Sequence, residues 1–405
     1  MEPEEHLFAT DRAQLRRWLP WLHLFRGFGI ALDIRKLLVC LCGLALFAGG
    51  NSLLDGFADE PAVSGVEARF SMMPQLPASL ADWKQSVSQA EAVLLEPLRT
   101  LFGPLLTLLG YAGAETSRGI AAARLVWGLL VWSFVGAAVI RMARHDVARG
   151  ERGNLAGAVR FARRHTVSLL AAPLLPALTV AFLLVLMTLV GLVGRIPGVG
   201  TMIVGAIWFV PLLVAAAQVL VVVGLIIGWP LMIATVSVED ADAFEGFSRA
   251  FSYVFSRPFY LLWLLGVSAI YGVMVMTVAG LMFTAMSEVA RLSVSTGLGD
   301  QATAALMDPR SGLPGARMLG AWTAGLGLLL SALAISYIWS QVAMVYSLLR
   351  LSVDQVPLDD LVEEPATGVT SDLPLVGVAA SEARERQLRQ TESTDSSEEP
   401  PVVNA

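Results

Sequence analysis

The sequence predicts an all-α polytopic membrane protein: six transmembrane helices in three hairpins, with amphipathic elbow helices on the cytoplasmic side. Three observations lead there. Hydrophobic residues make up 55% of the 405 and charged residues only 15%, with a mean hydropathy of +0.65, more apolar surface than one water-soluble core can bury. Six apolar stretches are long enough for a hydrocarbon layer of about 30 Å, which takes roughly 20 helical residues. The arginines gather between these stretches rather than within them, densest from Arg141 to Arg164, which marks that side as cytoplasmic.

Residues 1–36 read as a cytoplasmic amphipathic segment. Trp18, Trp21, Leu22, Phe25, Phe28 and Leu32 recur at helical spacing between Arg12, Arg16, Arg17 and Arg26, with a break or bend at Pro20. No cleavable signal is expected, because the first apolar run starts only near Leu37. The membrane domain covers 37–352, and its first span is Leu37 to Leu54. An extracytoplasmic insertion, 55–114, follows; it holds a helical pattern through Trp83, Val87, Ala90 and Leu94. Residues 98–111 are apolar but interrupted by Arg99, Gly103 and Pro104, so they are read as interfacial or packed against the bundle. Counting them as a span would invert every later element.

Span two is Ala121 to Ile140, and span three is Val167 to Val193 with Pro173 and Pro176. A turn at Gly194–Gly198 leads to span four, Met202 to Ile233, which holds Pro211, Gln218 and Pro230. Spans five and six are Phe259 to Met286 and Leu319 to Leu349. The tail, 353–405, carries twelve acids against three arginines, which leaves the rest of the chain at a net +3. So acidic and apolar-poor a segment is expected to be disordered.

The stretch Glu239 to Leu265 shows the organisation most clearly. Phe244, Phe247, Phe251, Val254 and Phe255 form one helical stripe, Asp242 and Glu245 have capping-box spacing, and after Arg257-Pro258 the chain turns wholly apolar. An interfacial helix lying along the leaflet and feeding span five is expected. The run WPLMIATVSVEDADAFEGFSRAFSYVFSRPFYLLWLL, about forty residues, resembles the membrane domain of some bacterial glycerophosphodiester phosphodiesterases, with Glu239, Phe247-Ser248-Arg249 and Phe259 as the matching features. The resemblance implies a helical membrane domain with interfacial elbows. It implies no catalysis, because in those proteins the phosphodiesterase chemistry belongs to a separate soluble domain.

The segments around Arg26, Arg160 and Arg249 each place an Arg close to a Phe just before a span, and each precedes one hairpin. This suggests a threefold internal repeat, with the insertion 55–114 in its first copy. The alternative is that cytoplasmic insertion points favour Arg and aromatic residues in any case.

The chemistry-bearing residues are few. His6, His23, His145 and His165 all lie in basic segments without a carboxylate at ligand spacing, and Gly194–Gly200 lacks the lysine and strand context of a phosphate loop. No catalytic residue, cofactor or metal is expected. Cys40 and Cys42 are read as small apolar fillers on different sides of span one. Arg26, Arg160, Glu239, Phe247 and Arg249 are the candidate lipid or partner contacts. The expected partners are the bilayer, anionic lipid headgroups and a protein engaging the acidic tail; nucleic acid is not among them. The spans hold no ionisable residue deeper than Arg124, and Gln218 is the strongly polar side chain at depth. A scaffold or accessory subunit of a bacterial cytoplasmic membrane, both termini inside, is the first expectation. The competing one is a transporter or lipid-handling protein with a cavity near Gln218 between proline-bent helices.

Overall fold

The computed structural model describes residues 19–57, 80–108, 118–150 and 152–358. The expected acidic tail beyond Leu358 and the N-terminal residues before Leu19 lie outside them. The described residues form twelve α-helices and no strand, and six of the helices are long and apolar enough to cross a membrane. The chain is a multi-pass membrane protein.

A 3₁₀ turn, Pro20–Arg26, leads into α1 (Gly27–Ala31) and α2 (Ile34–Asp55), the first span. Where the sequence suggested an amphipathic helix bent at Pro20, proline opens the 3₁₀ turn instead, a position that needs no N–H. Asp33 accepts the Arg35 amide at 3.0 Å and caps α2. Helix α3 (Leu80–Leu108) runs unbroken through Pro97 and Pro104. It lies against α4 (Arg118–Arg149) and against the third hairpin, and it buries Ala90, Val93, Leu94 and Leu101. It is not a span. Arg124 of α4 pairs with Asp55 at the end of α2, so the chain between them returns to the side on which it left.

The second hairpin is α6 (Thr166–Val193) and α8 (Phe209–Glu239), preceded by α5 (Leu155–Arg164). Span four was expected to start at Met202; instead α7 (Gly200–Ala206) is separate, and the break at Ile207–Trp208 falls one turn before Pro211. Pro211 cannot donate to the Ile207 carbonyl, so the helix starts afresh there. The prolines inside α6 and α8 are absorbed without a break.

Helix α9 (Ala243–Ser256) leads to the third hairpin, α10 (Pro258–Leu298) and α12 (Pro314–Asp354), with α11 (Asp300–Met307) and a 3₁₀ turn, Pro309–Ser311, at its tip. Both long helices have 41 residues, about 60 Å at 1.5 Å per residue and twice the hydrocarbon layer. They therefore extend well past the expected Met286 and Leu319. The connection that the sequence left open is mostly helix.

The second helix of each hairpin, α4, α8 or α12, touches the other two, and these three form the centre. Each carries a buried tryptophan: Trp132, Trp229 and Trp339. The three indoles line one void of about 20 Å³ together with Pro97 and Leu98 of α3, scarcely more than a water molecule needs. Trp229 and Trp339 meet edge to face at 5.6 Å. Gly136 lets the Trp339 ring approach α4; a Cβ there would lie 2.8 Å from it.

Each elbow packs on the hairpin before it, and the first packs on the last. Helix α9 lies on α6 and α8, α5 lies on α4, and the Pro20–Ala31 segment lies on α12. That cyclic order is what a threefold repeat of elbow plus hairpin produces.

Candidate functional site

The end of the bundle that carries Arg141 to Arg164 is its basic end, and here the chain concentrates its charge. Val236, Met232, Gly228 and Gly224 of α8 pass beside Gly246, Ala250, Val254 and Phe251 of α9, so the two helices run antiparallel in close contact. Gly224 and Gly246 make this possible, since a Cβ would lie 2.6 Å from the Phe251 ring at the first and 2.9 Å from the Val236 side chain at the second. The expected interfacial helix lying along the leaflet is therefore corrected: α9 is strapped onto the bundle. Phe247, Phe251 and Val254 face it, whereas Phe244 and Phe255 stay exposed.

This packing brings Arg249 onto Glu239. Glu239 ends α8 with a side chain only 7% exposed, and its carboxylate pairs with Arg249 of α9 and, at 3.2 Å, with Arg350 of α12. The Tyr346 hydroxyl donates to it at 2.5 Å. Arg249 also reaches Glu245 at 2.5 Å. Asp242 does cap α9, accepting the Glu245 amide at 2.8 Å, but the other half of the capping box is given up because the Glu245 carboxylate turns to Arg249. Beside this centre the Tyr253 hydroxyl donates to Asp354, and its ring meets Tyr346 at 5.7 Å. Burial, and then the bond to the Asp354 carboxylate, push the Tyr253 phenol upward, so it remains a donor.

Comparable ties brace the rest of this end. Lys36 is fully buried; it pairs with Asp146 of α4 and donates to the Ile30 carbonyl at 2.8 Å. Asp146 also accepts the Gly153 amide at 3.1 Å. His165 meets Asp240 at 2.8 Å and stacks on Phe161, while Arg141 lies over the other ring contact of Phe161 at 3.9 Å and donates to the Ser237 carbonyl at 3.2 Å. Arg144 donates to the Leu358 carbonyl at 2.5 Å. The Lys36–Asp146, His165–Asp240, Arg141–Ser237 and Arg144–Leu358 contacts join residues distant in sequence.

Of the candidate residues, Glu239, Arg249 and Phe247 come together; Arg26 and Arg160 are exposed and apart from them. Gln218 is corrected. It is half-buried on the far half of α8, and the cavity around Pro230 lies about two and a half to three and a half turns away. That cavity, about 170 Å³, is walled by Leu95 and Leu98 of α3, Pro230 of α8, Leu265 of α10 and Ile338 and Gln341 of α12. It opens where α8 and α10 barely touch.

Two ionisable side chains outside the expected spans are buried: Lys36 at the start of α2, and Glu96 on α3 beside Pro97. Arg350, Tyr346 and Tyr253 escaped the sequence reading, as did the three tryptophans. Trp-Ser at 132–133 and 339–340 and Trp-Pro at 229–230, each toward the end of the second span of a hairpin, were the available signal.

Cys40 is buried and Cys42 exposed, as their spacing requires. Among the described residues no group of three His, Cys, Asp or Glu could hold a metal ion. Set against known proteins, the chain matches no family model, no curated protein and no solved structure.

Proposed function

We propose that this protein is a non-enzymatic scaffold or accessory subunit of a bacterial cytoplasmic membrane, with the basic end and both termini inside. The observation that carries the reading is the bracing of that end. The final turns of α4, α8 and α12 are each tied to an elbow or to a neighbouring copy by buried ion pairs and hydrogen bonds. Such ties hold a surface in one shape. Behind it three indoles surround a void of only about 20 Å³ on the bundle axis. The excess of arginine at that end supports the cytoplasmic assignment, and the acidic tail that follows Leu358 offers a partner a charged handle. The elbow features shared with membrane domains of glycerophosphodiester phosphodiesterases suit the same role.

The test is crosslinking and co-purification from native membranes, comparing the full chain with one ending at Leu358. That truncation keeps the Tyr253–Asp354 bond and the Leu358 carbonyl that Arg144 holds. The scaffold reading expects defined protein partners, lost or weakened on truncation. Absence of any partner from both samples would count against it.

A second reading, lipid handling, is favoured by one observation: the cavity of about 170 Å³ at Pro230, open between α8 and α10. Lipid movement by reconstituted protein that stops when Ala269→Trp fills this cavity would establish it over the first.

A further inference from the structure

A cavity reaching the basic end lies between α2, α4 and α5 and holds about 350 Å³. Its walls are apolar: Leu38, Cys42 and Leu46 from α2, Phe134 and Val135 from α4, and Leu155 and Val159 from α5. It exists because the second copy of the repeat departs from the third. Aligning Arg160 with Arg249 puts Ala158 and Ala162 at the places of Phe247 and Phe251. In the third copy those phenylalanines stack at 4.6 Å and α9 reaches both helices of its hairpin. In the second copy α5 rests on α4, barely touches α2, and leaves the space open.

The cavity's edge is cationic. Arg163 follows Leu155 and Val159 at i+8 and i+4 on α5, hence on the cavity-lining face, and Arg160 neighbours Arg163 at i, i+3 on the flank of that face. Both are exposed, and neither makes an ion pair among the described residues. The carboxylates nearby are already engaged: Asp33 caps α2 and Asp146 holds Lys36 and the Gly153 amide. Arg35, which donates to the Gly153 carbonyl at 3.1 Å, stands at the same mouth, one turn before Leu38.

We propose that this cavity is a binding site for one anionic phospholipid, its acyl chain between α2 and α5 and its phosphate against Arg160 and Arg163. By proportion to a cavity of about 150 Å³ that takes benzene, the space accommodates roughly a dozen chain carbons. An apolar slot supplies no reason to choose among lipids; the unpaired guanidiniums supply the choice of an anionic headgroup. The proposal is independent of the scaffold reading.

Native mass spectrometry of the full chain in detergent tests it, with phosphatidylglycerol and phosphatidylcholine of identical chains as separate probes and sodium phosphate as a competitor. Phosphatidylglycerol should be retained preferentially, Arg160→Gln and Arg163→Gln should each weaken retention about fivefold, and Val159→Trp should abolish it. Equal retention of the two lipids, displacement by inorganic phosphate, or full retention by the folded Val159→Trp chain would overturn the proposal. Wild-type protein gives a reading that needs no variant: phosphatidylglycerol carrying a diazirine in its chain should crosslink to residues 38–46, and unlabelled phosphatidylglycerol should compete. Crosslinks spread over all lipid-facing helices, or a crosslink to a second copy of the chain instead, would equally overturn it.

Discussion

Glu239 joins three helices: it ends α8, and its carboxylate is shared by Arg249 of α9 and by Arg350 and Tyr346 of α12. Glu239→Gln would remove the carboxylate charge that the buried Arg350 pairs with, while Arg249 keeps Glu245. With Arg350 12% exposed, the loss should be about 3 kcal/mol, of the order seen when one partner of a buried pair is removed. Arg249 is 40% exposed, so Arg249→Gln should cost less, about 1 kcal/mol. Denaturation in mild detergent measures both, and equal effects would contradict the ranking. At the axis, Gly136→Val puts a branched side chain where Trp339 already lies and should destabilise by about 1–3 kcal/mol. Glu239 and Arg249 both stood out in the sequence as candidate contacts, ten positions apart on either side of one turn. Arg350 and Tyr346 did not, since only tertiary packing brings residues more than a hundred positions away to the same carboxylate.

At the scale of elements, α9 shows what periodicity reveals and what it leaves open. Its stripe of phenylalanines fixed the helix and its apolar face, but an apolar stripe serves a leaflet and a neighbouring helix equally well. Gly224 and Gly246 decided the matter, because their missing side chains let α8 and α9 come together. Phe247→Asp should therefore lower thermal stability strongly, whereas Phe244→Asp, on an exposed position, should be tolerated. Similar melting temperatures for the two would return α9 to the leaflet. Helix α3 was harder to place. Its two prolines and short apolar run excluded a span, yet nothing local shows that Pro97 and Leu98 sit beside three tryptophans from three different helices.

For the whole molecule, six spans, their order and the position of the basic end were legible because lipid demands long apolar helices and the arginines stand outside them. The cyclic packing, with each elbow on the preceding hairpin, was only suggested by the Arg and Phe pattern, since repeated contacts survive far more sequence change than repeated residues. The ends of α10 and α12 were underestimated: apolar content marks where a helix is in lipid and not where it stops. The six-span topology rests on α3 leaving the chain on the same side, and a single-cysteine map in a Cys40→Ala, Cys42→Ala background tests that most directly. Cysteines at Arg152 and Gln355 should react with an impermeant maleimide only from the cytoplasmic side, and those at Gly56, Arg195 and Gly312 only from the other. Labelling of Gly56 and Arg195 from opposite sides would make α3 a span and contradict the account.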